Sequence, residues 1–324
     1  MKYTEIVTEQ RGQRKVVKVD LITGFLGSGK TTFIRRYADY LERTGQKYMI
    51  IENEFGSISV DPMLLEGLNV PVKDLSGMCM CCAGFDKFRS MLIGGAKSGC
   101  DRILVEPSGI YDVDEFFTMM HLDAVRECCE IGSIITIDAP DCAASTDEVD
   151  YLMFSQLLAA GSVLVSKTQL FPEEAVSDTV IRLQSILRQR GVEEIPAERI
   201  FLKSWDQLTD ADFEQMQRNG YHFADHTREE LNHQELFKTS MVVVQNAEPD
   251  RLKEQVVRLF GEPEIFGNVL RVKGFARCAD KSWLEVNCTP GTMLIRPRNV
   301  KRGILVVIGQ GLKEDSIRRC FKEE

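Results

Sequence analysis

The chain has 324 residues, enough for about two domains of roughly 150 residues each. Hydrophobic residues make up 44% and charged residues 27%, the balance of a globular protein, which excludes disorder, collagen and coiled coil. Forty Lys and Arg against 49 Asp and Glu leave a net charge of −9. That argues against nucleic acid or an anionic membrane as partner, because both select basic surface.

No apolar run nears the roughly 18 residues that span a bilayer, and the longest, 304–308, is strand-sized. The first residues, with Lys2, Glu5, Glu9, Arg11, Arg14 and Lys15, lack the apolar stretch of a signal peptide. A soluble, cytoplasmic protein is expected. In a reducing compartment ten cysteines call for metal or catalytic roles rather than disulfides, and three crowd together at Cys79, Cys81 and Cys82.

In chain order, 16–22 reads as an apolar strand and 24–29 as a glycine turn. Phe33, Ile34, Tyr37 and Leu41 then recur at helical spacing up to Gly45. A short strand at 48–51 precedes a long irregular stretch, 53–84, whose length marks it as functional. Phe88, Met91 and Leu92 suggest a helix, and 102–105, 134–137 and 163–165 read as buried strands with helices between. Strands alternating with helices predict an α/β domain with a mostly parallel sheet covered on both faces.

The stretch 207–234 is polar, holds three of the four histidines, and reads as a connection. Beyond it come a strand at 241–244, an amphipathic helix at 250–260 behind Pro249, strands at 269–275, 283–287, 293–295 and 304–308, and a last helix with Ile317 and Phe321. This pattern predicts a small α+β domain of split βαβ type. The organisation expected is a 1–15 extension, a nucleotide-binding domain at 16–206, a 207–235 linker and a C-terminal domain at 236–324.

Gly24-Phe25-Leu26-Gly27-Ser28-Gly29-Lys30-Thr31 fulfils G-x-x-x-x-G-K-[ST] between a predicted strand and helix, the context a P-loop requires. Its glycines let backbone N–H groups turn toward phosphate oxygens, and the helix N-terminus adds positive charge. Lys30 is expected to reach the β- and γ-phosphates and the Thr31 hydroxyl to bind Mg²⁺, with Thr32 following in the site. The apolar strand 103–105 ends in Glu106, followed by Pro107-Ser108-Gly109. Glu106 fills the Walker B place near Mg²⁺, acting through water, and Gly109 can offer its N–H to the γ-phosphate.

A base-reading segment is expected after strand 163–165, where Ser166-Lys167-Thr168-Gln169 stands in place of Asn-Lys-x-Asp. Gln169 can accept a hydrogen bond but lacks the charge of a carboxylate. Guanine is the base expected, with weaker discrimination than an aspartate gives, and ATP is the alternative.

Cys79-Met80-Cys81-Cys82 is a C-x-C-C cluster between Gly77 and Gly84. In an extended segment Cys79 and Cys81 project to one side, and a turn at Cys82 brings round the third thiol. Three soft thiolates suit Zn²⁺, Co²⁺ or Cu⁺ better than Mg²⁺, and an open fourth position favours exchange over a closed structural site. A structural zinc knuckle and a redox thiol set are the alternatives. The cluster lies between the P-loop and Glu106 strands, where a γ-phosphate-sensitive switch sits in such folds. His121, His222, His226 and His233 read as surface or packed histidines.

Taken in order, residues 24–32, Glu52-Asn53-Glu54-Phe55-Gly56 with Asp61, the cysteine cluster, Glu106-Pro107-Ser108-Gly109 and Ile137-Asp138-Ala139 resemble the CobW-type metallochaperone GTPases, relatives of HypB and UreG. Arg271-Val272-Lys273-Gly274 and the strands after it resemble the CobW C-terminal domain. The resemblance implies a GTPase that binds a transition metal, Zn²⁺ or Co²⁺, through Cys79, Cys81 and Cys82, with Glu52 as an added carboxylate. Since no arginine finger can be assigned from the sequence, slow intrinsic turnover is expected. The resemblance further implies delivery of that metal to a client metalloprotein or cofactor-insertion enzyme, and it leaves a homodimer open. Two other readings stand beside it: a P-loop NTPase with redox or structural cysteines, and an ATP-using enzyme of corrinoid or other cofactor metabolism.

Overall fold

A computed structural model describes residues 16–53, 72–75, 84–142, 147–223, 237–300 and 303–322. The first sheet contains β1 (Val17–Thr23), β2 (Tyr48–Glu52), β3 (Val72–Asp74), β4 (Arg102–Glu106), β5 (Cys129–Asp138), β6 (Ser162–Val165) and β7 (Ile200–Phe201). They lie in the order β3-β2-β4-β1-β5-β6-β7, all parallel. The strands between them cross over through α1 (Lys30–Arg43), α2 (Phe85–Lys97), α3 (Val113–Met120), α4 (Asp123–Arg126), α5 (Asp147–Ala159) and α6 (Glu173–Gln189).

Alternation along β1 explains the layers. Val17, Val19 and Leu21 point to one face, where Phe88, Leu92, Phe116 and Met119 cover them; Ile22 points to the other, under Phe33, Ile34 and Tyr37 of α1. A parallel sheet buried on both faces needs apolar strands, and β2 and β4 are buried along their whole lengths. Asp20 breaks the pattern in mid-strand. Its carboxylate accepts from Arg102 Nη1 at 2.6 Å, Tyr37 OH at 2.8 Å, and the Ser133 amide and hydroxyl at 2.8 and 3.0 Å. A buried charge survives only when paired and hydrogen-bonded in this way.

Within the stretch read as a connection, α7 (Asp210–Asn219) forms behind a capping box at Thr209. Its Phe213 stacks on Tyr37 and Tyr40 with ring centroids 5.6 and 5.0 Å apart, so this segment covers α1. The polar composition reflects its outer face. Two short edge strands, β3 and β7, were not expected from the sequence; at three and two residues they are too short to carry a pattern.

The second sheet contains β8 (Lys238–Val242), β9 (Asn268–Arg277), β10 (Trp283–Thr289), β11 (Thr292–Arg298) and β12 (Leu305–Gln310), in the order β11-β10-β9-β12-β8. Every neighbouring pair is antiparallel. The strand β12 is inserted between β8 and β9, which are joined through α8 (Pro249–Gly261) and α9 (Pro263–Phe266), and this is the split βαβ arrangement expected. One face of the sheet packs on α8 and on α10 (Glu314–Phe321) through Leu252, Val256, Leu259, Ile317 and Phe321. The other face carries Leu270, Val306 and Ile308 into a shared core with Phe25, Leu26 and Ile110 of the first domain.

Candidate functional site

The glycine turn leaves β1 at the centre of the sheet and enters α1. Gly27 adopts φ +82°, a conformation L side chains rarely take, and a Cβ there would stand 2.5 Å from Thr289 Cγ2 of β10. Gly29 is the N-cap of α1; no side chain caps this terminus and its first turn holds no acidic residue. Such a terminus is open to an anion. Lys30 is buried, and its Nζ donates to the carbonyls of Gly24 at 2.8 Å and Phe25 at 3.1 Å. Those are the exchangeable bonds of a loop lysine that phosphate oxygens can replace.

Strand order brings the second element into place. Because β4 lies beside β1, Glu106 at its carboxyl end meets α1, and its Oε1 accepts from Thr31 Oγ1 at 2.8 Å. Glu52, also buried, ends β2 directly beside Glu106 in the strand register. The loop after β4 presses on the glycine turn: a Cβ on Gly109 would lie 2.6 Å from the Leu26 nitrogen, so only glycine fits there.

A cavity of about 250 Å³ opens from this point, lined by Gly27, Gly29, Lys30, Thr31, Thr32 and Glu106 at one end. Lys167, Gln169, Leu170 and Trp205 line it farther along, and Arg271, Asn287, Thr289, Thr292 and Leu294 of the second sheet form a wall. Ser166 does not line it: its buried hydroxyl donates to the Ser28 carbonyl at 2.6 Å and braces the glycine turn. Lys167 takes φ +58° and bonds both carboxylate oxygens of Asp141, at 2.8 and 2.6 Å. Asp141 also accepts from the Thr289 hydroxyl at 2.6 Å and from the Thr292 hydroxyl. Burial opposes its ionisation, but the Lys167, Thr289 and Thr292 hydrogen bonds and the Lys167 charge outweigh it and hold the carboxyl below its ordinary value.

A smaller recess beside the Lys30 end is lined by Glu52, Asn53, Glu106, Gly109, Arg271 and Lys273, among others. Burial pushes the Lys273 ammonium down to about 7; the Glu52 carboxylate opposes the shift and the Lys30 charge adds to it. Asp141, Trp205, Arg271, Lys273, Asn287, Thr289 and Thr292 are site residues that sequence reasoning missed. The one available signal was Arg271 and Lys273, two cations inside an otherwise apolar strand.

The cysteines of the C-x-C-C cluster, Cys79, Cys81 and Cys82, lie outside the described residues, as do His226 and His233. Among the described residues no group of three or more His, Cys, Asp or Glu side chains is placed to hold a metal ion. His121 instead bonds the Phe117 carbonyl through Nδ1 at 2.7 Å. Among the described residues no helix is long and apolar enough to cross a membrane.

Comparison with known proteins agrees with this geometry. Residues 18–192 match the family described as "CobW/HypB/UreG, nucleotide-binding domain", and residues 238–323 match "Cobalamin synthesis protein cobW C-terminal domain". The zinc chaperone CobW of Pseudomonas aeruginosa is 27% identical over 192 residues, 49% of this chain and 51% of that protein. The zinc chaperone YjiA of Escherichia coli is 29% identical over 180 residues, 52% of this chain and 55% of that protein. The chain thus spans about half the length of these curated relatives. Among solved structures, Zn(II)-bound YjiA GTPase from E. coli aligns over 95% of this chain and 99% of that chain, at 18% identity and a TM-score of 0.43. With more than half of its length matched by the nucleotide-binding family and its C-terminal part by the CobW C-terminal family, the chain belongs to the CobW/HypB/UreG family of P-loop proteins.

Proposed function

We propose that this protein is a GTP-binding, slowly GTP-hydrolysing metallochaperone that holds Zn²⁺ or Co²⁺ through Cys79, Cys81 and Cys82 and passes it to a client metalloprotein or cofactor-insertion enzyme. The observation that carries the nucleotide part is the convergence of Lys30, Thr31 and Glu106 at one end of a cavity whose other end carries Lys167 and Gln169. The metal part rests on the C-x-C-C spacing and on relatives named zinc chaperones. The nucleotide-binding part is assigned to 16–206, with α7 of the 207–235 connection packed on its α1, and the C-terminal part to 236–324.

The donor set fits the ligands. The N-terminus of α1, without a side-chain cap, and Lys30 suit the phosphates, with Gly24, Gly27, Ser28 and Gly29 shaping the loop. The Thr31 hydroxyl and the Glu106 carboxylate are a hard-oxygen pair suited to Mg²⁺, Glu106 acting through water. Mg²⁺, when held by the Thr31 hydroxyl and Glu106, would neutralise phosphate charge. Lys30 stabilises the charge that grows on the phosphate oxygens, and Gly109 offers its N–H to the γ-phosphate. At the far end Leu170 and Trp205 give a purine an apolar wall, and Gln169 reads its edge. Turnover on the order of 10⁻⁴ to 10⁻² s⁻¹ is expected for such a site without a partner.

The test pairs two titrations. GTP and ATP compete for the site against a fluorescent GDP, and Co²⁺ is followed by thiolate charge-transfer absorption in the wild type and in Cys81→Ala. GTP displacing the probe well below the ATP concentration needed, together with a charge-transfer band weakened in Cys81→Ala, supports the reading. Equal displacement by ATP points to the ATP-using alternative, and no thiolate band removes the metal role.

A further inference from the structure

The second sheet does more than lean on the nucleotide-binding domain. Along β9 the pairing with β12 slips: Ile308 opposes Arg271 while the next residue, Gly309, opposes Val269. Leu270 is therefore an extra residue, a β-bulge of the kind that re-aims side chains beside functional sites. Before the bulge Val269 faces the C-terminal core, and after it Val272 does. Leu270 is thereby delivered to the core shared with Phe25 and Leu26 of the glycine turn, and Arg271 to the cavity wall.

Arg271 borders both cavities that contain Lys30 and Glu106. Its Nη2 donates to Asn287 Oδ1 of β10 at 3.2 Å, which orients the fork, and its Nε is buried with no hydrogen-bond partner among the described residues. A buried guanidinium donor without an acceptor is costly unless an anionic ligand supplies one. Among the described residues no carboxylate pairs with Arg271, whereas Arg296 and Arg298, two strands over on β11, pair with Glu285.

We propose that Arg271 is a catalytic residue supplied in cis by the C-terminal domain: its guanidinium contacts the γ-phosphate and stabilises the charge of the hydrolytic transition state. This rests on the reading that the cavity takes a nucleoside triphosphate. In the step, a water oxygen bonds to the γ-phosphorus as the bond to the bridging oxygen breaks. The electron pair stays on the β-phosphate oxygen of GDP, and the water proton passes to a γ-phosphate oxygen, giving inorganic phosphate. Arg271 stays protonated throughout, a fixed fork of N–H donors. Hydrolysis then requires the second sheet to be docked, so whatever prises β9 from the glycine turn switches turnover off.

The experiment uses the full chain in three forms: wild type, Arg271→Ala and Arg271→Lys, each checked for folding by circular dichroism. Affinity for GDP, tightening of GDP by aluminium fluoride with Mg²⁺, and single-turnover GTP hydrolysis are measured. Arg271→Ala is expected to bind GDP within about three-fold of wild type, to lose most of the aluminium fluoride tightening, and to hydrolyse at least about 100-fold more slowly. Arg271→Lys, which keeps charge and stem but not the fork, is expected to lose at least about ten-fold. It carries the test if the alanine variant fails to fold. Wild-type rates and wild-type aluminium fluoride binding in the folded variants overturn the proposal while leaving the nucleotide reading intact. A wild-type protein that binds neither GDP nor a GTP analogue overturns the underlying reading.

Discussion

Asp141 joins three segments that are far apart in sequence: the loop after β5, Lys167 after β6, and the β10–β11 hairpin through Thr289 and Thr292. Replacing it by alanine tests whether this junction holds the two domains together. The Asp141 side chain is fully buried and that of Lys167 is 16% exposed, so the alanine variant strands an almost buried ammonium. Breaking such a pair from one side costs about 3–5 kcal/mol. With an unfolding entropy of about 2.1 cal/mol/K per residue, 324 residues give about 0.7 kcal/mol per degree, so Tm should fall by about 4–7 °C if the chain melts as one unit. Scanning calorimetry reads this directly, and a split transition would show the domains separating. The decisive comparison is Asp141→Ala with Lys167→Met added. Removing both charges relieves the stranded ammonium, so the double variant should melt above the single one. A double variant that melts at or below Asp141→Ala, or a single variant within 1 °C of wild type, refutes the reasoning.

Three further outcomes follow from the same geometry. Thr31→Ala removes the hydroxyl bonded to Glu106 at 2.8 Å and should cut GTP turnover by at least about 100-fold while sparing Mg²⁺-free GDP binding, checked by phosphate release and fluorescence titration. Asp20→Ala leaves buried Arg102 without its carboxylate and should cost about 3–5 kcal/mol, read as a fall in the denaturant midpoint. The Asp141 carboxyl titrates below its ordinary value in the folded chain, so its ionisation contributes stability above the unfolded carboxylate pKa of about 3.9, lost as pH falls through the folded value. The Tm gap between wild type and Asp141→Asn should therefore narrow below about pH 4.

Much of the first domain was legible because its strands are buried on both faces and its phosphate loop must be spelled out in glycines. The expected strands at 16–22, 48–51 and 102–105 fall on β1, β2 and β4 within one residue at each end. The strand β5 begins earlier, at Cys129, because exposed Glu130 and half-buried Ile131 and Gly132 just after it alternate too weakly to read. The helix α7 was hidden for the opposite reason. Only Asp212, Phe213 and Met216 of its ten residues are buried, so its pattern is mostly polar. Ser166 shows the limit of motif reading, since its place in the segment is that of a base-contacting residue while its hydroxyl braces the loop. Beyond the signal of the two cations Arg271 and Lys273, the wall that Asn287 and Thr289 form with Arg271 was out of reach, because it depends on how the second sheet docks, which no local pattern encodes.

A delivery role requires coupling between nucleotide state and metal affinity, which by linkage must appear in both directions. Isothermal calorimetry of Zn²⁺ binding to the full chain, loaded with GDP or with a non-hydrolysable GTP analogue and Mg²⁺, measures it. A difference of at least about five-fold in the zinc dissociation constant, lost in Cys81→Ala, is the predicted result. The same dissociation constant in both nucleotide states would contradict a delivery role and leave a nucleotide-binding protein with an uncoupled metal.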